Sequence, residues 1–328
     1  MNKNIKIIIK WVIGPLLAAW LFYSLYSKVK GQGELKHSIT LIREAPFGQE
    51  AWKFWLVILL AFLNWSFETR KWQILVKRIQ PMLFWRAMKS VLCGVTLTLF
   101  TPNRIGEYGG RVLFVEDGKK LQAVSLSIAG SIAQLLITIL MGCFGLVFLI
   151  ERMGPGEMIM GLSVYWLKVL LFISVVVFLV LFLFFFQLSW LIRIIEKLPL
   201  AKKFILYISV LDGLDAKILL RLLFLSLSRY IVFVLQYIFM LQLLHVEVGS
   251  WQSFWIITVL FWVMAIVPTF AIAELGVRGE FAVALLGLFS SNTIGILGAI
   301  FSIWFINLFI PAFIGSILIL GIKINRDT

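Results

Sequence analysis

The chain is poor in the groups that catalysis in water draws on. It has two histidines and two cysteines in 328 residues. Cys93 and Cys143 lie in apolar runs without metal-ligand spacing, and His37 and His245 fall in polar connections. So few groups build no zinc-type cluster and no Ser/His/Asp layout, so a metal site is not expected. The cysteines read as buried lipid-phase residues, from which neither a disulfide nor a compartment follows. No Gly-x-x-x-x-Gly-Lys-Ser/Thr loop occurs, which excludes a P-loop ATP engine, and Gly106, Gly109 and Gly110 do not match a dinucleotide fingerprint. No cofactor is expected. Charge is scarce as well, at 14% of residues, and no basic cluster interleaved with aromatics argues for nucleic acid as a partner. The longest non-spanning cytoplasmic piece, about 189–217, is too short to fold as a catalytic domain.

Apolar residues make up 61% of the chain, and the mean hydropathy is +1.01. A soluble protein of this size needs far more polar surface, so the fold class expected is an all-α polytopic membrane protein. Lys and Arg number 30 against 16 acids. In a membrane protein that excess reflects cytoplasmic loops facing anionic lipid. Thirteen tryptophans suit interfacial belts.

Read in order, the apolar runs predict six full spans and two re-entrant helical hairpins. Spans are expected at about 5–26, 51–67, 124–150, 163–188, 218–244 and 293–322. The first has no small-residue cleavage site and reads as a retained span instead of a signal peptide. Arg70, Lys71, Lys77, Arg78, Arg86 and Lys89 make the segment after the second span cytoplasmic, with the N-terminus on the same side. Lys323 and Arg326 place the C-terminus there too. Glu68 with Arg70 reads as a structural helix end. The pieces 82–100 and 251–267 end at Pro102 and Pro268 and read as incoming arms of hairpins that dip in from opposite faces; proline stops each helix. The segment 189–217 alternates basic and apolar residues and is expected to lie on anionic headgroups.

This order exposes an internal repeat: span, span, hairpin, span, occurring twice with opposite starting sides. Repeat one covers about 5–150 and repeat two about 163–322, within a single transmembrane domain, 1–328. Pro102 and Pro268 stand 166 residues apart, and starts of matching spans differ by similar amounts. An inverted-topology repeat with broken helices in corresponding places points to a transporter site near the midplane. The local motifs matched are Arg-Ile-Gly-Glu at 104–107 and Arg-Gly-Glu at 278–280.

Intramembrane charges are costly, and each is by default a functional hypothesis. Arg104, Arg111 and Arg278 offer planar forks of donors that match phosphate oxygens. Glu107, Glu274 and Glu280 could pair with them or exchange protons. Arg229 lies two to three turns inside its span, too deep for an end residue, and is either a third phosphate contact or a partner of a glutamate. The structural alternative for the six hairpin charges is snorkelling or ion pairing at hairpin ends; for Arg111 it is facing the headgroups. Asn64, Gln134 and Asn307 read as interhelical hydrogen bonds.

The pattern Pro102, Arg104, Gly106, Glu107, Arg111, then Pro268, Leu275, Gly276, Val277, Arg278, Glu280 resembles the lysylphosphatidylglycerol synthase transmembrane-region family over about 5–322. The sequence departs from the family's glycine-rich form at Ile272, Ala273, Glu274 and Gly279, and Gln134 occupies the region where an acid–arginine pair is expected. The resemblance implies a lipid-translocating domain in the cytoplasmic (inner) membrane of a bacterium. In multidomain relatives such a domain is followed by an aminoacyl transferase; without it, this chain is expected to move or bind a lipid and not to make one.

The expected function is therefore a flippase-like transporter of a phosphate-bearing phospholipid or polyprenyl lipid, with Arg104 and Arg278 on the phosphate and Glu107 and Glu280 balancing charge. The expected partner is a lipid with an anionic phosphate headgroup; a homo-oligomer stays open. Two rival readings stand beside it. A membrane enzyme acting on a lipid-linked phosphate would have to use Glu116 with Asp117 or Asp212 with Asp215, which look like solvated helix ends. A non-transporting anchor would engage a partner through 189–217. An Arg104→Ala variant separates transporter from anchor: transport and lipid binding fall while assembly, read by co-purification and gel filtration, survives.

Overall fold

The structure is a computed structural model and describes residues 44–99, 101, 105–154, 156–187, 190, 207–267 and 271–324. The expected first span, the prolines at both hairpin tips, Arg104 and most of 189–217 lie outside the described residues. The elements in order are α1 (Ala51–Val76), α2 (Phe84–Thr98), α3 (Gly106–Val112), α4 (Lys120–Arg152), β1 (Met158–Ile159), β2 (Leu162–Ser163), α5 (Val164–Phe186), α6 (Ala216–Leu243), α7 (Ser250–Ile266), α8 (Ala271–Leu286), α9 (Thr293–Trp304) and α10 (Ile310–Ile324). β1 and β2 form a two-stranded antiparallel ribbon. A π-helical turn, Phe305–Phe309, joins α9 to α10.

Four helices among the described residues are long and apolar enough to cross a bilayer: Lys120–Arg152, Val164–Phe186, Ala216–Leu243 and Thr293–Gly321. They match four of the expected spans within a few residues. α1 departs from the expected end at residue 67. It runs on to Val76 because Trp72, Leu75 and Val76 continue its apolar stripe into a buried core shared with Leu126 of α4 and Leu219 of α6. Glu68 and Lys71 are thus carried inside, each 2% exposed, and Glu68 is not the solvated helix end that its charged neighbours suggested.

Both expected hairpins have a helix on each arm. α2 has 15 residues, roughly 22 Å, and falls short of a hydrocarbon core of roughly 30 Å. The chain then folds back as α3, antiparallel to α2. Gly94 and Gly110 make this contact possible: a Cβ on Gly94 would stand 2.8 Å from the Glu107 carbonyl, and one on Gly110 would run into the Gly94 amide and the Cys93 carbonyl. α7, 17 residues, is followed by α8, which packs against it. The Glu274–Glu280 stretch lies wholly within α8. Glu107 and Glu274 both occupy first turns, where a carboxylate favours helix by lying at the positive end of the dipole.

Three antiparallel crossings hold the elements together. α1 packs along α6, α4 along α7, and α2 along α10. The α1–α6 direction is set by Gln236 Nε2 donating to Val57 O and Arg229 Nε donating to Asn64 Oδ1, at 3.0 and 2.9 Å. The other two crossings use glycine on the long helix. Gly145 and Gly142 on α4 receive Thr258 and Trp262 of α7, and Gly315 on α10 receives Leu92 and Thr96 of α2. Thr96 Oγ1 also donates to Ala312 O at 2.7 Å. Cys93 and Cys143 are buried and free.

The α2–α3 contact gives a stability prediction. Gly110→Ala puts a methyl group where two backbones meet and is expected to cost about 1–3 kcal/mol, read as a lower unfolding temperature in detergent. Gly321→Ala, where an added Cβ meets nothing within 4 Å, is expected to be neutral or slightly stabilising.

Candidate functional site

α1 and α6 carry the central charges. Arg229 lies 13 residues into the 28 of α6, so about 20 Å of helix separates it from either end. Glu68 on α1 faces it. The two carboxylate oxygens of Glu68 hold three cations from three different surroundings. Oε2 accepts from Arg229 Nη1 at 2.7 Å and lies 2.8 Å from Lys71 Nζ, while Oε1 accepts from Arg111 Nη2 at 2.6 Å. Arg111 is also paired with Glu107, one turn earlier on α3. Its guanidinium rests over the Trp72 ring, 5.4 Å from the centroid, and that of Arg229 over Trp65 at 5.3 Å. Trp72 is fixed in turn by its Nε1–H donating to Ser90 Oγ, whose hydroxyl donates to Arg111 O.

α8 supplies a second, simpler pair. Arg278 is bonded to Glu274 one turn earlier, and its Nη1 donates to the Tyr237 hydroxyl on α6 at 2.8 Å. Both Arg278 and Glu274 are buried, at 5% and 8% exposure. The two hairpins therefore carry the same device: Glu107-Tyr-Gly-Gly-Arg111 on α3 and Glu274-Leu-Gly-Val-Arg278 on α8, each residue of the second standing 167 positions after its counterpart. This pairing stands beside the sequence match of 104–107 with 278–280, whose Arg104 lies outside the described residues. The repeated unit is a glutamate one turn ahead of an arginine on the same helical face, the spacing at which helical side chains pair.

Between these clusters is a cavity of about 480 Å³. Glu68, Lys71, Glu107, Arg229, Glu274 and Arg278 line it, together with Gln134, Tyr108, Tyr230, Phe233 and Phe261, and with Met264–Val267 at the end of α7. Its volume suits a polar headgroup or a drug-sized molecule. Four of the seven sequence candidates, Glu107, Glu274, Arg278 and Arg229, line this one cavity. Arg111 stands directly behind Glu107 and Glu68, 1% exposed, and does not face headgroups as its alternative reading had it. Glu280 is half-buried on α8 and does not line the cavity. Arg104 lies outside the described residues. Asn64 and Asn307 form the expected interhelical hydrogen bond, Asn64 Nδ2 donating to Asn307 Oδ1 at 3.1 Å. Gln134 instead faces the cavity, with its Oε1 buried and unbonded among the described residues.

The lysylphosphatidylglycerol synthase TM region family model matches residues 8–315. The chain belongs to this family. No curated protein matches it. Membership and the apolar helices together make it a membrane protein.

Within this family member, the residues that sequence reading passed over are Glu68, Lys71, Tyr230 and Tyr237. Glu68 and Lys71 were legible in principle: an apolar stripe of Trp65, Trp72, Leu75 and Val76 brackets them, which places the pair inside a helix and not at its end. The tyrosines carry no such signal, because an aromatic in an apolar run reads as core.

Glu68 is the test of this network. Glu68→Gln leaves Arg229, Lys71 and Arg111 buried against one remaining carboxylate. It is expected to destabilise the protein by about 3–5 kcal/mol, or to abolish its recovery in folded form. Adding Lys71→Met to Glu68→Gln removes one uncompensated cation and is expected to restore part of the loss, measured as a double-mutant cycle on the unfolding temperature.

Proposed function

We propose that this protein is a flippase-like transporter that carries a phosphate-bearing lipid, phospholipid or polyprenyl, across the membrane. The single observation that carries the proposal is the charge of the cavity. Three cations, Lys71, Arg229 and Arg278, line it with three carboxylates, Glu68, Glu107 and Glu274, and a fourth cation, Arg111, stands behind Glu68 and Glu107. The guanidinium groups of Arg229 and Arg278 thus border the cavity while a carboxylate holds each in place. A phosphodiester brings one negative charge and acceptor-only oxygens, which match guanidinium donors.

The inverted repeat is part of the same reading. If the halves are related by an axis in the membrane plane, equivalent helices run antiparallel. The antiparallel α1–α6 crossing supports this, as do the paired α4–α7 and α2–α10 crossings and the twin Glu–Arg devices. On this reading α2–α3 enters from the cytoplasm and α7–α8 from outside, and neither crosses fully. The single domain has six spans and both termini in the cytoplasm, in a bacterial inner membrane. The headgroup sits between the hairpins, contacted by Arg278 and Arg229 and, at the first hairpin tip, by Arg104. Glu107 and Glu274 hold the arginines in place when it leaves, and rocking of one repeat against the other opens the site to each side. No transferase step is assigned to this chain.

Vesicles containing the purified protein and a headgroup-labelled phosphodiester lipid are expected to show transbilayer movement above that of empty vesicles. Glu274→Gln combined with Arg278→Gln, which removes the pair without leaving a lone charge, is expected to reduce that movement at least about tenfold, since a charged hydrogen-bond donor to the phosphate is lost. No movement above empty vesicles, for any of several anionic headgroups, rejects the proposal.

A further inference from the structure

Beside the main cavity is a side chamber of about 40 Å³, lined by Asn64, Trp65, Arg229, Glu274, Arg278, Trp304 and Asn307 among others. Arg229, Glu274 and Arg278 belong to both spaces. Three polar groups of this wall are buried without a hydrogen-bond partner among the described residues: Trp65 Nε1, Trp304 Nε1 and Arg278 Nε. All three are N–H donors, and none of them can accept. The side-chain acceptors of the wall are already engaged: Asn64 Oδ1 accepts from Arg229 Nε, Asn307 Oδ1 from Asn64 Nδ2, and the Glu274 carboxylate from Arg278 Nη2. Buried donors left open are costly and are normally met by some group. Here the two indoles come from two different helices, α1 and α9, and the second sits at the entry to the π-turn Phe305–Phe309. Such turns recur at functional sites.

From this donor excess we infer that the side chamber is an oxyanion subsite, holding phosphate oxygens between the Trp65 and Trp304 indoles and Arg278 Nε. This rests on the transport reading and narrows it: the phosphodiester of the lipid docks here, while the remainder of the headgroup occupies the 480 Å³ cavity. The chamber has room for about three waters or for the oxygens of one phosphate, and not for a whole headgroup. Water alone meets the donors only by presenting its oxygen to each while leaving its own hydrogens to engaged acceptors; phosphate oxygens present lone pairs only. Trp65 and Trp304 are assigned as binding residues, in addition to the arginines.

The test uses the full chain in detergent with three probes: dihexanoylphosphatidylglycerol, its uncharged counterpart dihexanoylglycerol, and inorganic phosphate. Binding is read by native mass spectrometry and by the shift in unfolding temperature. Trp65→Phe and Trp304→Phe keep one aromatic ring and remove the N–H together with the pyrrole half of the indole. Each is expected to weaken binding of the phosphodiester lipid about tenfold, with the double variant weaker still and dihexanoylglycerol unaffected throughout. Trp52→Phe, at a lipid-facing position, is expected to change nothing. Replacing either indole by benzothienylalanine, which exchanges N–H for sulfur at nearly constant shape, keeps the test decisive if a phenylalanine variant fails to fold.

Unchanged lipid affinity in both tryptophan variants, with transport intact in the wild-type protein, overturns the subsite and leaves the transport reading standing. A phosphate response that is lost in the variants, in a protein that neither binds nor moves lipid, supports the oxyanion site with a free anion as its ligand and overturns transport. Equal responses of wild type and double variant to every probe mean that the chamber holds water only, and the inference fails.

Discussion

One carboxylate decides how the charged interior is held. Glu68 places two oxygens among three cations, and those cations reach it from α1 itself, from α3 and from α6. In an apolar surround each charge is expensive unless it is paired and hydrogen-bonded. The position of the short α3 therefore follows from the carboxylate: moving α3 away would strip Arg111 of Glu68 and leave it buried with Glu107 alone. The glycine seam between α2 and α3 then acts on the same element from its other side, because Gly94 and Gly110 fix how closely the hairpin arms approach. A polar network and a steric seam together determine one helix of seven residues.

The second hairpin is held differently. Arg278 has its own Glu274 and a neutral hydroxyl, Tyr237, where Arg111 has a second carboxylate. A hydrogen bond to a neutral group is weaker than one to an ion by roughly twofold. The two Glu–Arg devices are alike in sequence and unequal in anchorage. Both hairpins are thus joined to the central pair, α3 through an acid on α1 and α8 through a tyrosine on α6.

Much of this fold could be read from the residues because long apolar runs admit few alternatives. α4, α5, α6 and the α9–α10 helix fall where uninterrupted hydropathy placed them, and both hairpin arms end near the prolines. Glu68 and Lys71 are the departure: charge usually marks an exit from the bilayer, but here pairing within the protein pays for that charge, and helix continues through it. The Glu-x-x-x-Arg pairs escape a reading that weighs identical letters in a row, because their two ends meet only one turn apart. A cavity between elements distant in sequence has no local signature, so Tyr230, Tyr237 and the side-chamber indoles had no way to stand out among 13 tryptophans and 7 tyrosines.

A site that must take up a ligand and release it cannot be fully satisfied without it, nor so unsatisfied that the empty state collapses. The interior meets both conditions by dividing them. The carboxylate–cation contacts are closed pairs that persist when the cavity is empty, and they carry the larger energies. What is left open is smaller: three N–H donors in the side chamber, and the Tyr230 hydroxyl and Gln134 carbonyl on the main wall. Each open donor costs of order 1–3 kcal/mol when nothing meets it, so on the transport reading they favour an anionic, acceptor-rich guest. They remain small beside the penalty of breaking any one of the buried ion pairs. The binding signal thus lies in the leftover hydrogen-bond capacity of groups that the ion pairs have already placed.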